Sequence, residues 1–316
     1  MNEKTVVLNA GRLNYDGKLD LTGLSGDVTI YDDTAPNQLL DRVQGCAVVV
    51  TKELPIGGDL LSRFPESVKL LCEAGTGYNN IDLETAQAKG ITVCNIPAYS
   101  TQRVAHTAIL LMLALSSSLQ RQQAMLFAGD RSCFTRGLLL DHVELNGKTL
   151  GLIGTGNIGR AVARIAQAME MEVIALTRAP RADSDGIHYV SMDELLARSD
   201  YLSLHCPLNA DTRHLICAET LGKMKPSAFL INTARGALVD EAALINALRR
   251  QAIAGAGLDV QETEPPAEDS PLYTLDNVIL TPHMGWKGLE TRQRLVGILE
   301  ENIRAFLAGT PIHVVG

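Results

Sequence analysis

No two of the six cysteines form a C-x-x-C pair, and most of them (Cys46, Cys72, Cys94, Cys133, Cys206, Cys217) sit inside apolar runs. That scatter argues against a disulfide or zinc framework and reads as reduced core residues of a cytoplasmic protein. Basic residues are outnumbered by acidic ones, 28 against 36, for a formal net charge of −8. Such a balance favours solubility and gives no support to nucleic-acid or anionic-membrane partners. The longest apolar run, in "AILLMLAL", is far short of a membrane span, and "MNEKTVVLNA" has no signal-peptide stretch, so neither insertion nor export is expected. Fixed-period repeats and low-complexity tracts are absent too. What remains, at 316 residues and 46% hydrophobic content, is a globular chain with material for two cores.

Short apolar runs bounded by polar or Gly/Pro clusters recur. In the first third they are "TVVLN", "VTIY", "CAVVVT", "VKLLC" and "ITVCN", which predict buried parallel strands. Helix-compatible segments lie between them at Pro36 to Val43, Gly58 to Ser62 and Asp82 to Lys89, the last with Asp82 as N-terminal cap and Gly90 at its end. From Ala98 a long segment, apolar on one face and polar beyond Ser116, predicts one long helix able to bridge two domains. A second series follows: "TLGLIG", "EVIAL", "DYLSLH", "AFLIN", "AGAGLDV" and "NVILT", with helices at Asn157 to Met169, Met192 to Ala197 and Asp240 to Gln251. A last helix, Leu289 to Leu307, can carry the chain back. The alternation predicts an α/β protein of two doubly wound parallel-sheet domains, with boundaries at 1–97 plus 289–316 and at 98–288.

The strongest local signal is Gly154-Thr155-Gly156-Asn157-Ile158-Gly159, set between a strand and an amphipathic helix that leads to a second strand. In that frame Gly154 permits a tight turn, Gly156 lets a pyrophosphate approach the backbone, and Gly159 lets helix and strand pack closely. The phosphates belong on the helix N-terminus, over Asn157 and Ile158, where free N–H groups and the macrodipole favour anions. Where NAD sites carry an acid for the ribose 2′-hydroxyl, this chain has Thr177, followed by Arg178 and Arg181. A carboxylate would repel a 2′-phosphate, whereas guanidiniums bind one, so NADP(H) is favoured over NAD(H), with dual use left open.

Near the end, "NVILTPHMGW" places a lone His283 after a strand. Such a residue alone could be packing, a ligand or an acid. With "AGTGYNNIDL", "NIPAYST", "LHCPLNADTRHLI", "INTARGALVDE", "AGLDVQETEPP" and the glycine turn, it makes the whole chain resemble the D-isomer-specific 2-hydroxyacid dehydrogenase family. "GTGYNN" and Trp286 are most similar to the glycerate dehydrogenase and hydroxypyruvate or glyoxylate reductase branch. The resemblance implies a Rossmann dinucleotide-binding domain and a flavodoxin-like substrate domain. It also implies reduction of a small 2-oxo acid by hydride transfer, and a homodimer formed through the Ala98 to Leu140 region. It assigns Arg235 to the substrate carboxylate and carbonyl, Glu264 to the acidic partner and His283 to the proton donor. Cys206, Pro207, Thr212, Thr233, Asp259 and Gly285 fall on the cofactor side, with Asp259 receiving the carboxamide. Thr76 and Gly77 offer backbone donors to the substrate carboxylate.

The chemistry is consistent with those assignments. An imidazole titrates where proton transfer is useful, a neighbouring carboxylate favours its charged form, and a guanidinium orients a carboxylate. The bland alternatives are a structural histidine, a solvated Glu264 in an acidic loop and a surface Arg235. His205, His106 and His142 are read as structural, Cys206 as a packer, and no metal is expected, because the histidines lack ligand spacing. Two other readings remain: a dinucleotide-sensing, corepressor-like binding protein of the same fold, and a short phosphoglycerate dehydrogenase.

Overall fold

A computed structural model describes residues 3–177 and 182–316. The chain divides into two compact units, one running up to Ser100 and including Lys287–Gly316, the other spanning Thr101–Trp286.

In the first unit, strands β1 (Lys4–Val7), β2 (Asp27–Ile30), β3 (Val48–Thr51), β4 (Leu70–Glu73) and β5 (Thr92–Cys94) form a parallel sheet in the order β2-β1-β3-β4-β5. That order reverses direction between β1 and β3, as in flavodoxin-like sheets. Strands β3 and β4 are buried throughout, but β2 is a half-exposed edge, which corrects the reading of "VTIY" as a buried strand. An edge strand has only one neighbour and keeps one side to water. Helices α1 (Leu39–Arg42), α2 (Gly58–Ser62) and α3 (Leu83–Ala88) connect the strands. The first is shorter than the Pro36 to Val43 reading, because Gln38 donates its N–H to Ala35 in a turn before it. Asp82 caps α3 by accepting the Thr85 N–H at 2.7 Å, and Gly90 ends it with φ +67.

The second unit opens with α4 (Thr101–Ser116), α5 (Leu119–Phe127) and α6 (Ser132–Thr135). One long helix was expected over this stretch, and the structure breaks it at Ser118, which has φ +45. Ser116 and Ser117 turn their hydroxyls back onto the Leu113 carbonyl, at 2.9 and 2.7 Å. Those bonds compete for the acceptor that a continuing helix needs. Strands β6 (Thr149–Ile153), β7 (Glu172–Leu176), β8 (His188–Val190), β9 (Tyr201–Leu204), β10 (Phe229–Asn232), β11 (Gly255–Leu258) and β12 (Val278–Leu280) form one sheet, ordered β12-β11-β10-β9-β6-β7-β8. Every pair is parallel. Helices α7 (Asn157–Ala168), α8 (Met192–Arg198), α9 (Ala218–Leu221) and α10 (Glu241–Arg249) connect them. Strand order reverses between β6 and β9, so the carboxyl ends of those strands flank a crevice of the kind in which open α/β sheets take ligands.

The returning helix α11 (Leu289–Leu307) belongs to the first unit and packs on β4. Its Arg292 is almost wholly buried, yet it is fully engaged. It donates to the Leu13 carbonyl at 2.9 Å and to both oxygens of Asp16 at 2.8 and 2.6 Å. Its guanidinium lies 4.4 Å from the centre of the Tyr15 ring. A buried charge is tolerable only when paired in this way.

Candidate active site

The glycine turn leaves β6, whose residues are all buried, and enters α7. Gly154 has φ +107, and a methyl there would lie 2.7 Å from the Cys206 nitrogen, so only glycine fits. A methyl on Gly159 would strike the Gly154 carbonyl. Gly156 differs: among the described residues, nothing lies within 4 Å of where its side chain would begin. It is also the N-cap of α7 and supplies no side-chain acceptor to the first-turn N–H groups over Asn157 and Ile158. An open cradle lined by N–H donors suits a pyrophosphate. Arg160 adds a positive charge that the sequence reading passed over. Its Nε donates to the Thr155 carbonyl at 3.0 Å and its Nη1 meets Asp185 at 3.0 Å. Thr177 follows β7 and donates its N–H to the Val190 carbonyl at 3.2 Å. Arg178 and Arg181 lie outside the described residues.

Beyond β9 comes His205, whose Nε2 is 2.8 Å from the Ser203 hydroxyl; burial pushes its pKa down to about 4. A neutral imidazole therefore backs the glycine turn at neutral pH, consistent with a structural histidine. Cys206 is partly exposed and Pro207 exposed. Thr212 is buried, and its hydroxyl donates to the Pro207 carbonyl and accepts from the Asn209 N–H, each at 2.8 Å. The hydroxyl thus shapes the loop behind Cys206. Thr233, after β10, is also buried, and among the described residues its hydroxyl has no hydrogen-bond partner. Buried hydroxyls in folded proteins are nearly always paired, so an orphan on the carboxyl edge of this sheet fits a polar group brought by a ligand. The open cradle and this hydroxyl together fit a dinucleotide.

Arg235, Glu264 and His283 follow three neighbouring strands on the same sheet edge; the structure pairs His283 with Glu264, while Arg235 Nη1 donates to the Ala234 carbonyl at 2.7 Å. Arg235 follows β10, its backbone carbonyl accepting from Asn232 Nδ2 at 2.9 Å. Glu264 follows β11, with Oε1 accepting the Gln261 N–H at 3.1 Å. His283 follows β12, and its Nδ1 lies 2.8 Å from Glu264 Oε2. A methyl on Gly236 would strike the Gln261 carbonyl, so the backbone after Arg235 lies directly against the loop that bears Glu264. Asp259, 1% exposed, takes Thr281 Oγ1 at 2.6 Å and the Met284 N–H at 2.8 Å on one oxygen, and the Gly285 N–H at 2.8 Å on the other. One buried carboxylate therefore braces the loop that holds His283, a task the sequence did not announce. The only local hint was an acidic residue ending a wholly apolar strand.

In the first unit, Thr76 and Gly77 follow β4. The turn is tied by Asn95 Nδ2, which donates to the Thr76 carbonyl at 2.7 Å, and by Thr76 Oγ1, which donates to the Ile96 carbonyl at 2.9 Å.

The family model described as "D-isomer specific 2-hydroxyacid dehydrogenase, NAD binding domain" matches residues 109–285. The chain belongs to the D-isomer-specific 2-hydroxyacid dehydrogenase family. It is 37% identical to a hydroxypyruvate reductase of Blautia hydrogenotrophica, covering 99% of both chains. It is 38% identical to a glycerate dehydrogenase of Methylorubrum extorquens, covering all of this chain and 99% of the other. Among solved structures, an acyclic imino acid reductase in complex with NADPH and D-arginine superposes with a TM-score of 0.87 at 32% identity, over 99% of this chain and all of the other. As a member of this dehydrogenase family the protein is a nicotinamide-dependent oxidoreductase acting on the CH–OH group of D-2-hydroxy acids. Among the described residues of this dehydrogenase, no helix is long and apolar enough to cross a membrane. No group of three or more His, Cys, Asp or Glu residues among them could hold a metal ion.

Proposed function

We propose that this dehydrogenase reduces a small 2-oxo acid, hydroxypyruvate or glyoxylate, with NADPH favoured over NADH. The observation that carries the reading is the 2.8 Å bond between His283 and Glu264, on the sheet edge from which Arg235 and the glycine turn also emerge. The names of the curated relatives support the choice of acid.

A bound reduced nicotinamide supplies a hydride to the carbonyl carbon of the acid. His283 gives the proton that the carbonyl oxygen gains, and Glu264 holds the imidazole by Nδ1, leaving Nε2 to face the substrate. Arg235 takes the carboxylate and steadies the charge growing on the carbonyl oxygen. The N–H groups of Thr76 and Gly77 are donors suited to the same chemical group, a carboxylate. Residues Gly154, Gly156, Asn157, Ile158 and Gly159 hold the pyrophosphate. Thr177, Arg178 and Arg181 meet the 2′-phosphate, and Cys206, Pro207, Thr212, Thr233, Asp259 and Gly285 line the nicotinamide half. In this reading residues 98–288 are the dinucleotide domain and 1–97 plus 289–316 the substrate domain.

The protein acts as a homodimer. No residue from 119 to 144 is buried, and Phe127 and Phe134 stand 87% and 77% exposed. Exposed rings on a stretch without a buried residue favour cover by a second copy. A cytoplasmic location fits six cysteines of which none forms a disulfide among the described residues. The test is a kcat/KM panel of 2-oxo acids with both reduced nicotinamides. Turnover of hydroxypyruvate or glyoxylate, faster with NADPH, supports the reading; no turnover with any 2-oxo acid refutes it.

A further inference from the structure

The five-stranded unit holds charged groups that the reaction described above leaves without a task. Lys52 follows β3 with its side chain 3% exposed, and Glu73 ends β4 with no exposed surface. Glu73 accepts from Thr51 Oγ1 at 3.0 Å, Asn80 Nδ2 at 2.9 Å and the Glu53 N–H at 2.9 Å. The main chain of Lys52 is locked to Asn9, which follows β1: the Lys52 N–H donates to Asn9 Oδ1 at 2.8 Å, and Asn9 Nδ2 donates back to the Lys52 carbonyl. The Lys52 ammonium pairs with the Glu53 carboxylate.

Two independent features set this group apart from an ordinary buried ion pair. The first is topological. Strands β1 and β3 are the pair between which the order β2-β1-β3-β4-β5 reverses, and ligands of open α/β sheets bind outside the carboxyl ends at such a point. The second is proximity to the turn. A methyl on Gly75 would lie 3.1 Å from Lys52 Nζ and 3.4 Å from Glu73 Oε1. An ammonium and a buried carboxylate therefore flank the residue that starts the Gly75–Gly77 turn.

The electrostatics follow. A turn meant to receive an anion has a carboxylate directly behind it, and in a low-dielectric setting that carboxylate repels an incoming acid. The three donors to Glu73 offset part of that repulsion, and the Lys52 ammonium, shared with Glu53, adds a positive charge at the same place. We propose that Lys52 is a positioning residue for the substrate carboxylate: it fixes the Gly75–Gly77 turn and cancels the repulsion of Glu73. This rests on the reading that Thr76 and Gly77 receive the oxo acid. The consequence for specificity is a dependence on the anionic carboxylate common to all 2-oxo acids rather than on their side chains.

The experiment is steady-state kinetics of Lys52→Met with hydroxypyruvate, glyoxylate and pyruvate, beside the double variant Lys52→Met/Glu73→Gln. In the single variant KM should rise about tenfold for all three acids, with kcat within about twofold and the KM for NADPH unchanged. Adding Glu73→Gln, which removes the uncompensated charge and keeps its shape, should recover most of that loss. An unchanged KM in a folded Lys52→Met protein, or a loss confined to kcat and thermal midpoint, overturns the proposal. If Lys52→Met does not fold, Glu73→Gln alone decides: KM should fall, and an equal or higher value overturns the proposal. Absence of turnover in the wild type would instead remove the dehydrogenase reading itself.

Discussion

Asp259 accepts the backbone N–H of Gly285 at 2.8 Å with one carboxylate oxygen, while its other oxygen holds Thr281 and Met284. Because these donors bracket His283, the position of the imidazole depends on a residue one strand away. Asp259→Asn would turn an acceptor into a donor among three donors, at a cost of about 1–3 kcal/mol for the groups left unpaired. The expected result is a lower thermal midpoint in calorimetry and a kcat reduced by about tenfold or more, since small misplacements of an acid are costly. A variant with wild-type midpoint and kcat would show that the loop holds itself.

Glu264→Gln keeps the size of the partner of His283 and removes its charge. Reduction of hydroxypyruvate should slow about 100-fold in kcat, with KM for NADPH unchanged. Stopped-flow or steady-state absorbance of the nicotinamide measures both quantities.

Two glycines of the turn, Gly156 and Gly159, separate binding from folding. Gly156→Ala places its methyl where no described residue lies within 4 Å, so the thermal midpoint should stay at the wild-type value while the Kd for NADPH rises at least about tenfold. Gly159→Ala drives its methyl into the Gly154 carbonyl and should lower both affinity and stability. Fluorescence titration and calorimetry on the two variants should therefore diverge.

His205 gives the fold an acid-sensitive point. Burial holds its pKa at about 4, below the ordinary 6.5. The unfolded chain binds the extra proton first, so stability present above pH 6.5 is lost as pH falls towards 4. The loss from this group is about 3 kcal/mol across that window. His205→Gln should flatten the fall in thermal midpoint between pH 7 and 4; parallel curves would contradict this.

Arg178→Ala should raise the KM for NADPH about tenfold and leave that for NADH near the wild-type value, as removal of one charge-assisted contact does. Equal effects on both coenzymes would count against the preference for NADPH.

Much of this was legible because local chemistry and global fold agree. The β6-turn-α7-β7 frame is written in glycines with steric reasons, and α2 and α11 have the bounds their apolar spacing implies. The pairing of His283 with Glu264 was implied only by resemblance, since 19 residues and a strand change separate them. What escaped depends on tertiary partners. Strand β8 is three residues long at a sheet edge, too short for a periodic signal. The break at Ser118 rests on hydroxyls choosing the Leu113 carbonyl over solvent. The roles of Asp259 and Lys52 come from neighbours brought in from other strands, which no spacing along the chain encodes.

The most direct measurement is kcat for hydroxypyruvate reduction by His283→Asn beside the wild type, with NADPH affinity measured on both. A proton donor contributes about 10²- to 10⁴-fold, so kcat should fall in that range while NADPH binds as before. A wild-type kcat in His283→Asn would contradict the role given to the imidazole, and with it the mechanism.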